Sequence, residues 1–305
     1  MVRPAALASS LPGHDVREDT TSVPRTGVLE VNGTFLSYEE QGAGQPVVLV
    51  HGALSDLRVW DPLRDELARR AEISGFRVIA YTQRYYGTRE WSDDGTRFSV
   101  ATHAEDLARL IATLAVEPVH IVGASYGGLV AATAAVRNPA LVRSLILYEA
   151  IIMSVLPAES PEGKIAREDR AKMAGPYIAM AKAGDFTKAA KLVQEAVYQL
   201  SPGEFDSLPE DWQMVLLDNA RVVPLLLAAP PPPAITCDML KDFTRPTLVM
   251  RGEKTLKWYA LISEAITKCV PGARKVILQN VNHDGPVRDP SAFSAAVFEF
   301  LSRCC

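Results

Sequence analysis

The segment Gly123-Ala124-Ser125-Tyr126-Gly127 places one serine between glycines. It follows the short apolar run 119–122 and precedes the Ala- and Gly-rich run 126–138. G-x-S-x-G between a strand and a helix is the setting in which a tight, strained turn lifts a serine above a sheet as a nucleophile. The glycines serve where a β-carbon would collide with the adjoining strand and helix. The helix start beside the serine offers backbone N–H groups and a positive dipole end to developing negative charge. The five residues alone occur by chance; the flanking strand and helix give Ser125 its weight. The alternative is a glycine-rich turn that merely packs closely.

A serine needs a base, and the chain has five histidines. His14 lies near the N-terminus. His51 ends an apolar run, His103 opens a helix, and His120 starts the strand before Ser125, too far below the turn. His283 follows the last expected strand, at its C-terminal end, where open α/β sheets form their sites. His283 is the expected base.

These residues need a scaffold, and the periodicity predicts one. Strands are expected at 28–31, 34–39, 46–50, 76–81, 119–122 and 145–148, with Asn32-Gly33 as a hairpin turn. Helices are expected at 56–70, 102–116 and 126–138, the second opened by a capping box of Thr102 and Glu105. Strands at 246–250 and 274–278 and helices at 259–270 and 291–303 complete the alternation. The result is an α/β fold with a mostly parallel, doubly wound sheet. Residues 151–241 interrupt it after the sixth strand with helical segments at 163–174, 185–200 and 209–220. This stretch runs into the stiff connector Pro230-Pro231-Pro232-Pro233 and reads as a helical lid. The expected organisation is a disordered leader at 1–27, a core at 28–150 and 242–305, and the lid at 151–241. Within the leader, Arg3 and Ala5-Ala6-Leu7-Ala8 faintly resemble a signal peptide, but Pro12 and His14 interrupt the apolar stretch.

The formal net charge is −4, and Lys and Arg are scattered, which argues against nucleic acid as a partner. No run approaches the ~18 apolar residues of a membrane span. Cys237, Cys269, Cys304 and Cys305 form no C-x-x-C pair, so neither a zinc site nor a disulfide framework is expected. Free thiols suit a reducing cytoplasm. No cofactor or metal is implied.

With these motifs in place the chain resembles the α/β-hydrolases, in particular their lid-bearing, epoxide-hydrolase-like branch. Matching pieces run from about Val28 to the C-terminus: His51-Gly52 after the first buried strand, Trp60 eight residues after Gly52, the Ser125 turn and Asn282-His283. The resemblance implies an oxyanion hole from the backbone N–H groups of Ala53 (or, one residue on, Leu54) and Tyr126, and makes His51 structural. It places the usual acid at Thr255, which cannot hold a charge. Glu149, at the end of the strand 145–148, matches the other known location, used by zearalenone lactone hydrolases and one subgroup of haloalkane dehalogenases. A Glu ending a buried strand is costly unless paired, and His283 would pair it. Glu253 is the alternative acid; Asp284 would point away from the ring.

The resemblance implies a Ser125–His283–Glu149 triad cleaving a carboxylic ester or lactone through an acyl-enzyme. A serine nucleophile argues against dehalogenase and epoxide hydrolase chemistry. Hydrolysis of C–C or amide bonds remains open, as does a ligand-binding homologue without turnover. The lid's apolar residues imply a neutral, mainly apolar substrate, with no Arg or Lys clearly placed to clamp an anion. A homodimer is left open. Tyr85 and Tyr86 replace a glycine-bearing turn of the family and are expected to pack rather than line the pocket.

Overall fold

The computed structural model describes residues 23–114 and 118–304. Most of the expected leader, and Cys305, lie outside the described residues. The strand expected at 28 begins earlier: β1 spans Arg25–Val31. It pairs antiparallel with β2, Thr34–Gly42, through the turn at Asn32 and Gly33, both at positive φ. β3, Gln45–Val50, buries Val47 to Val50 completely, as a strand covered on both faces must.

The helix expected from 56 divides in two. The Asp56 carboxylate accepts the N–H of Arg58 and closes a 3₁₀ turn at Leu57–Trp60. Pro62 then sits in the first turn of α1, Asp61–Ser74, where its missing N–H costs nothing. β4, Phe76–Tyr81, follows. α2, Val100–Thr113, is capped by Ser99 rather than Thr102: the Ser99 hydroxyl accepts the Thr102 N–H, at 3.0 Å. Ser99 wins because its backbone is extended, as an N-cap requires, whereas Thr102 is already helical. β5, Val119–Ala124, leads straight into α3, Ser125–Arg137, and β6 spans Val142–Tyr148.

A helical insertion follows β6. It contains α4 (Pro161–Lys182), α5 (Phe186–Val197), α6 (Glu210–Asn219), α7 (Val223–Ala228) and α8 (Cys237–Lys241). α4 continues well past the end expected at 174 and runs through Pro176. Losing one helical hydrogen bond is offset there by packing: Tyr177, Met180 and Ala181 lie in the insertion's own apolar cluster with Ala189, Ala190 and Phe205. The core resumes with β7 (Thr247–Gly252), α9 (Lys257–Cys269), β8 (Arg274–Leu278), α10 (Gly285–Arg288) and α11 (Pro290–Leu301).

The eight strands form one sheet in the order β1-β2-β4-β3-β5-β6-β7-β8, parallel from β4 to β8. Apolar side chains cover both faces. Leu107, Leu110, Val130 and Ile262 pack one face from α2, α3 and α9. Leu63, Leu67, Phe293 and Val297 pack the other from α1 and α11.

The free-thiol reading is overturned for two cysteines. Cys237 on α8 and Cys269 at the end of α9 form a disulfide. Separated by 32 residues, they are brought together only by the packing of α8 on α9. The argument for a reducing compartment loses these two thiols. Among the described residues no helix is long and apolar enough to cross a membrane.

Candidate active site

Ser125 is the first residue of α3 and has φ 54°, a left-handed conformation rare for a residue with a side chain. The turn is held by close approach on its far side. A β-carbon on Gly127 would lie 2.2 Å from the His51 carbonyl oxygen, so only glycine fits between α3 and the end of β3. The Ile151 N–H donates to the Ser125 carbonyl and ties the turn to the start of the insertion. Two further side-chain-bearing residues near the site have positive φ, Leu54 at 55° and Glu149 at 44°. Strain of this kind, of order 1–3 kcal/mol per residue, persists only where the surroundings hold it.

Glu149 follows β6 and is fully buried. Its Oε2 lies 2.6 Å from Nδ1 of His283, and its Oε1 accepts the N–H of Gly252 at 2.8 Å. Because β6 and β7 are parallel neighbours, with Tyr148 opposite Met250, a carboxylate ending β6 reaches the end of β7. Glu253 lies elsewhere: it is exposed, and its carboxylate accepts the N–H of Asn280. Thr255 offers only a buried hydroxyl. Asp284 is turned to Arg288, whose Nε donates to it at 2.8 Å.

The loop after β3 passes over the serine. A β-carbon on Gly52 would stand 3.4 Å from Cβ of Ser125. Ala53, Leu54, Ser125, Tyr126 and His283 all border one cavity of about 730 Å³. Tyr126 occupies the first turn of α3, where backbone N–H groups have no partner within the helix. Its side chain is anchored by His103, whose Nδ1 is 2.8 Å from the Tyr126 hydroxyl. His51 holds the loop from beneath, its Nε2 accepting the N–H of Gln83 at 3.0 Å. Burial lowers His51 to about 4 and His103 to about 3. His120 bonds Ser144 and Gln45, far from the serine turn along β5. His14 lies outside the described residues.

Tyr85 and Tyr86 are buried and do not border the cavity. Tyr86 packs edge-on against His51 and among Phe98, His103 and Tyr126. Arg84 beside them forms a buried pair with Asp106 that also binds the hairpin at Asn32. No local pattern marks this network, since Arg84 and Asp106 lie in different elements.

The insertion supplies Met173, Tyr177, Val193, Trp212, Val215 and Leu226 to the cavity. Other apolar residues of the insertion fill the core instead: Ile152, Val155 and Leu156 are buried beneath. Two cations also border the cavity. Arg58 is held by Asp56 and Asp218, both at 2.7 Å. Arg170 lies over the Trp258 ring, 6.0 Å from its centroid. The expectation of no cation there needs correcting for Arg170, which no contiguous motif marks. Among the described residues no group of three His, Cys, Asp or Glu side chains is disposed to hold a metal.

A second residue that sequence reasoning missed lies against the histidine. The Tyr259 ring stacks on His283, with centroids 4.3 Å apart and planes at 18°. Its hydroxyl is 3.4 Å from Nε2.

A family model described as the alpha/beta hydrolase fold matches residues 45–286. The chain belongs to that family. Over 279 residues it is 26% identical to 2-(acetamidomethylene)succinate hydrolase of Mesorhizobium japonicum, covering 90% of this chain and 94% of that one. It is 27% identical to the hydrolase YraK of Bacillus subtilis over 43% of this chain, and spans less than half, 46%, of that relative. The solved structure of a thermophilic esterase from Thermogutta terrifontis superposes with TM-score 0.69 at 25% identity, covering 92% of this chain and 99% of that one.

Proposed function

We propose that this α/β-hydrolase is a serine hydrolase acting on a carboxylic ester or lactone, with Ser125 as nucleophile, His283 as base and Glu149 as acid. The observation that carries the reading is the buried Glu149–His283 bond, with His283 and a serine on a strained turn both bordering one large cavity. Ser125 attacks the acyl carbon, and the N–H groups of Ala53 and Tyr126 receive the oxyanion. Losing one such donor costs about 2.7–4 kcal/mol in characterised sites. His283 protonates the leaving alcohol, then activates the water that releases the acid. Glu149 orients the imidazole and balances its positive form. This acid placement is the one found in the zearalenone lactone hydrolases, and the insertion takes the lid's place in the epoxide-hydrolase-like branch.

The cavity's mainly apolar lining favours a neutral substrate of moderate size, roughly 0.8 kcal/mol for each buried CH₂. The Thermogutta relative being an esterase favours the ester reading. The Mesorhizobium relative's substrate carries an acetamido group and two carboxylates, so an amide belongs among the alternatives, with Arg170 as the cation facing it.

The test is a p-nitrophenyl ester series with and without Ser125→Ala, alongside labelling by a fluorophosphonate. Wild type should be labelled at Ser125, with KM falling from acetyl to hexanoyl esters. The variant should be unlabelled and slower by about 10⁴ or more. Turnover retained by Ser125→Ala would remove the serine mechanism.

A further inference from the structure

The loop between β8 and α10 carries His283, and the residue before it reaches into the insertion. Asn282 Nδ2 donates to the Tyr198 carbonyl at 2.6 Å. The other end of the same amide stays in the loop, where Oδ1 accepts the N–H of Asp284 at 3.1 Å. Asn282 therefore brackets His283, holding the backbone just beyond it with one atom and the insertion with the other. A serine hydroxyl closes the same kind of local turn, accepting an N–H two residues on. What asparagine adds is a donor that extends to the end of α5.

The receiving end is shaped for this contact. Tyr198 is the C-cap of α5, where carbonyls have no partner within the helix. Gln199 follows at φ 52°, the left-handed conformation that ends a helix and that glycine usually supplies. The turn sends the Leu200 N–H back to the Glu195 carbonyl at 2.8 Å and leaves the Tyr198 carbonyl to Asn282. The glutamine side chain is used as well: its Nε2 donates to the Lys254 carbonyl, in the loop after β7. The Lys254 N–H in turn donates to the Val281 carbonyl at 3.0 Å, next to Asn282. Two amides thus join the end of α5 to the histidine loop and to the loop bonded to it. α5 also borders the cavity, through Val193, Gln194, Val197 and Tyr198.

We propose that Asn282 is a positioning residue, fixing the imidazole of His283 relative to the helix that lines the substrate cavity. The inference rests on the serine-hydrolase reading above. Glu149 holds one ring nitrogen, at 2.6 Å, and sets a pivot. A bond to one edge of the ring leaves the opposite edge able to swing. Nε2, on that edge, must take the serine proton and then give it to the leaving oxygen. The Asn282 bond restrains the swing by tying the loop's backbone to α5. The base and the bound substrate then take their positions from the same helix. Proton transfer needs heavy atoms within hydrogen-bond reach, so a displacement of about 1 Å is enough to cost ~100-fold.

The test is Asn282→Ser, which keeps an acceptor for the Asp284 N–H and removes the bond to α5. It is measured beside wild type and Ser125→Ala on p-nitrophenyl butyrate and ethyl butyrate, with active sites counted by fluorophosphonate. p-Nitrophenolate leaves without a proton, whereas ethoxide needs one from the imidazolium. In Asn282→Ser, kcat should fall about 10-fold on the first ester and about 100-fold on the second, with KM little changed. A merely structural asparagine would lower the urea midpoint and leave the ratio of the two rates as it is in wild type. Gln199→Gly removes the second amide at a position that suits glycine. It should move the ratio in the same direction, and it carries the test by itself if Asn282→Ser does not fold. A ratio unchanged in both variants, with Ser125→Ala inactive, would overturn the positioning role alone. Turnover by Ser125→Ala would overturn the serine reading itself.

Discussion

Glu149 combines full burial, a strained backbone and two hydrogen bonds, one to Gly252 and one to His283. Such a carboxylate is costly unless its charge is used, and its one titratable partner here is an imidazole. Replacing it by glutamine keeps the volume and one acceptor but removes the charge that balances an imidazolium. Glu149→Gln should lower kcat for the best ester substrate by about 10³–10⁴, by analogy with triads stripped of their acid. Glu253→Gln, at an exposed site bonded to Asn280, should leave kcat within about twofold, the usual range of a surface change. Steady-state kinetics on the two variants decides between the acids. An inactive Glu253→Gln with an active Glu149→Gln would reverse the assignment.

At the scale of elements, the insertion and the loop after β3 are one packed unit. Leu54 of that loop is buried in the insertion's own cluster with Phe205, Leu216 and Val223. Asn219, ending α6, is fully buried; its amide donates to Asp56 at 2.7 Å and its oxygen accepts the Gly87 N–H at 2.6 Å. Arg58 joins Asp56 to Asp218, and Arg221 donates to the Gly87 carbonyl. Asn219→Ala would strand a buried N–H and weaken the hold on a buried carboxylate. The expected cost is about 1–3 kcal/mol for each group left unpaired. Because Asp56 closes the loop that carries Ala53, kcat should fall along with the urea midpoint. A variant as stable and active as wild type would show that the insertion is not anchored through this contact.

For the whole molecule, buried histidines lower the stability in acid, and His51 and His103 act beside His120, which burial also lowers to about 4. His51 and His103 are lowered from 6.5 to about 4 and about 3 by burial. Above pH 6.5 both are neutral in the folded and unfolded chain, and their contribution to stability is complete. As the pH falls through that value the unfolded chain takes up a proton at each, while the folded chain does not. Stability should therefore fall on acidification, at up to about 2.7 kcal/mol per pH unit for the two together, until about pH 4. Urea midpoints at pH 7.5, 6.0 and 5.0 check this, with His103→Gln expected to flatten the slope. Midpoints unchanged from pH 7.5 to 5.0 would contradict it.

Local order made the frame legible in the sequence. Apolar runs gave the buried strands, Asn32-Gly33 gave the hairpin, and glycines around Ser125 marked a turn where a β-carbon cannot fit. These signals survive in sequence because each is confined to a few consecutive residues. Glu149 was also within reach, because a charge at the end of a buried strand demands a partner. Other features depend on which elements the sheet order sets side by side. The Cys237–Cys269 bridge, the Arg84–Asp106 pair and the Asn219 contacts join residues 22 to 163 positions apart. The bond between Tyr259 and His283 exists only because α9 packs against the loop after β8. Periodicity fixes which face of a helix is buried, but not the neighbour that face meets. That neighbour is set by the sheet order and the path of the insertion, so only the tertiary structure decided what surrounds the reacting groups.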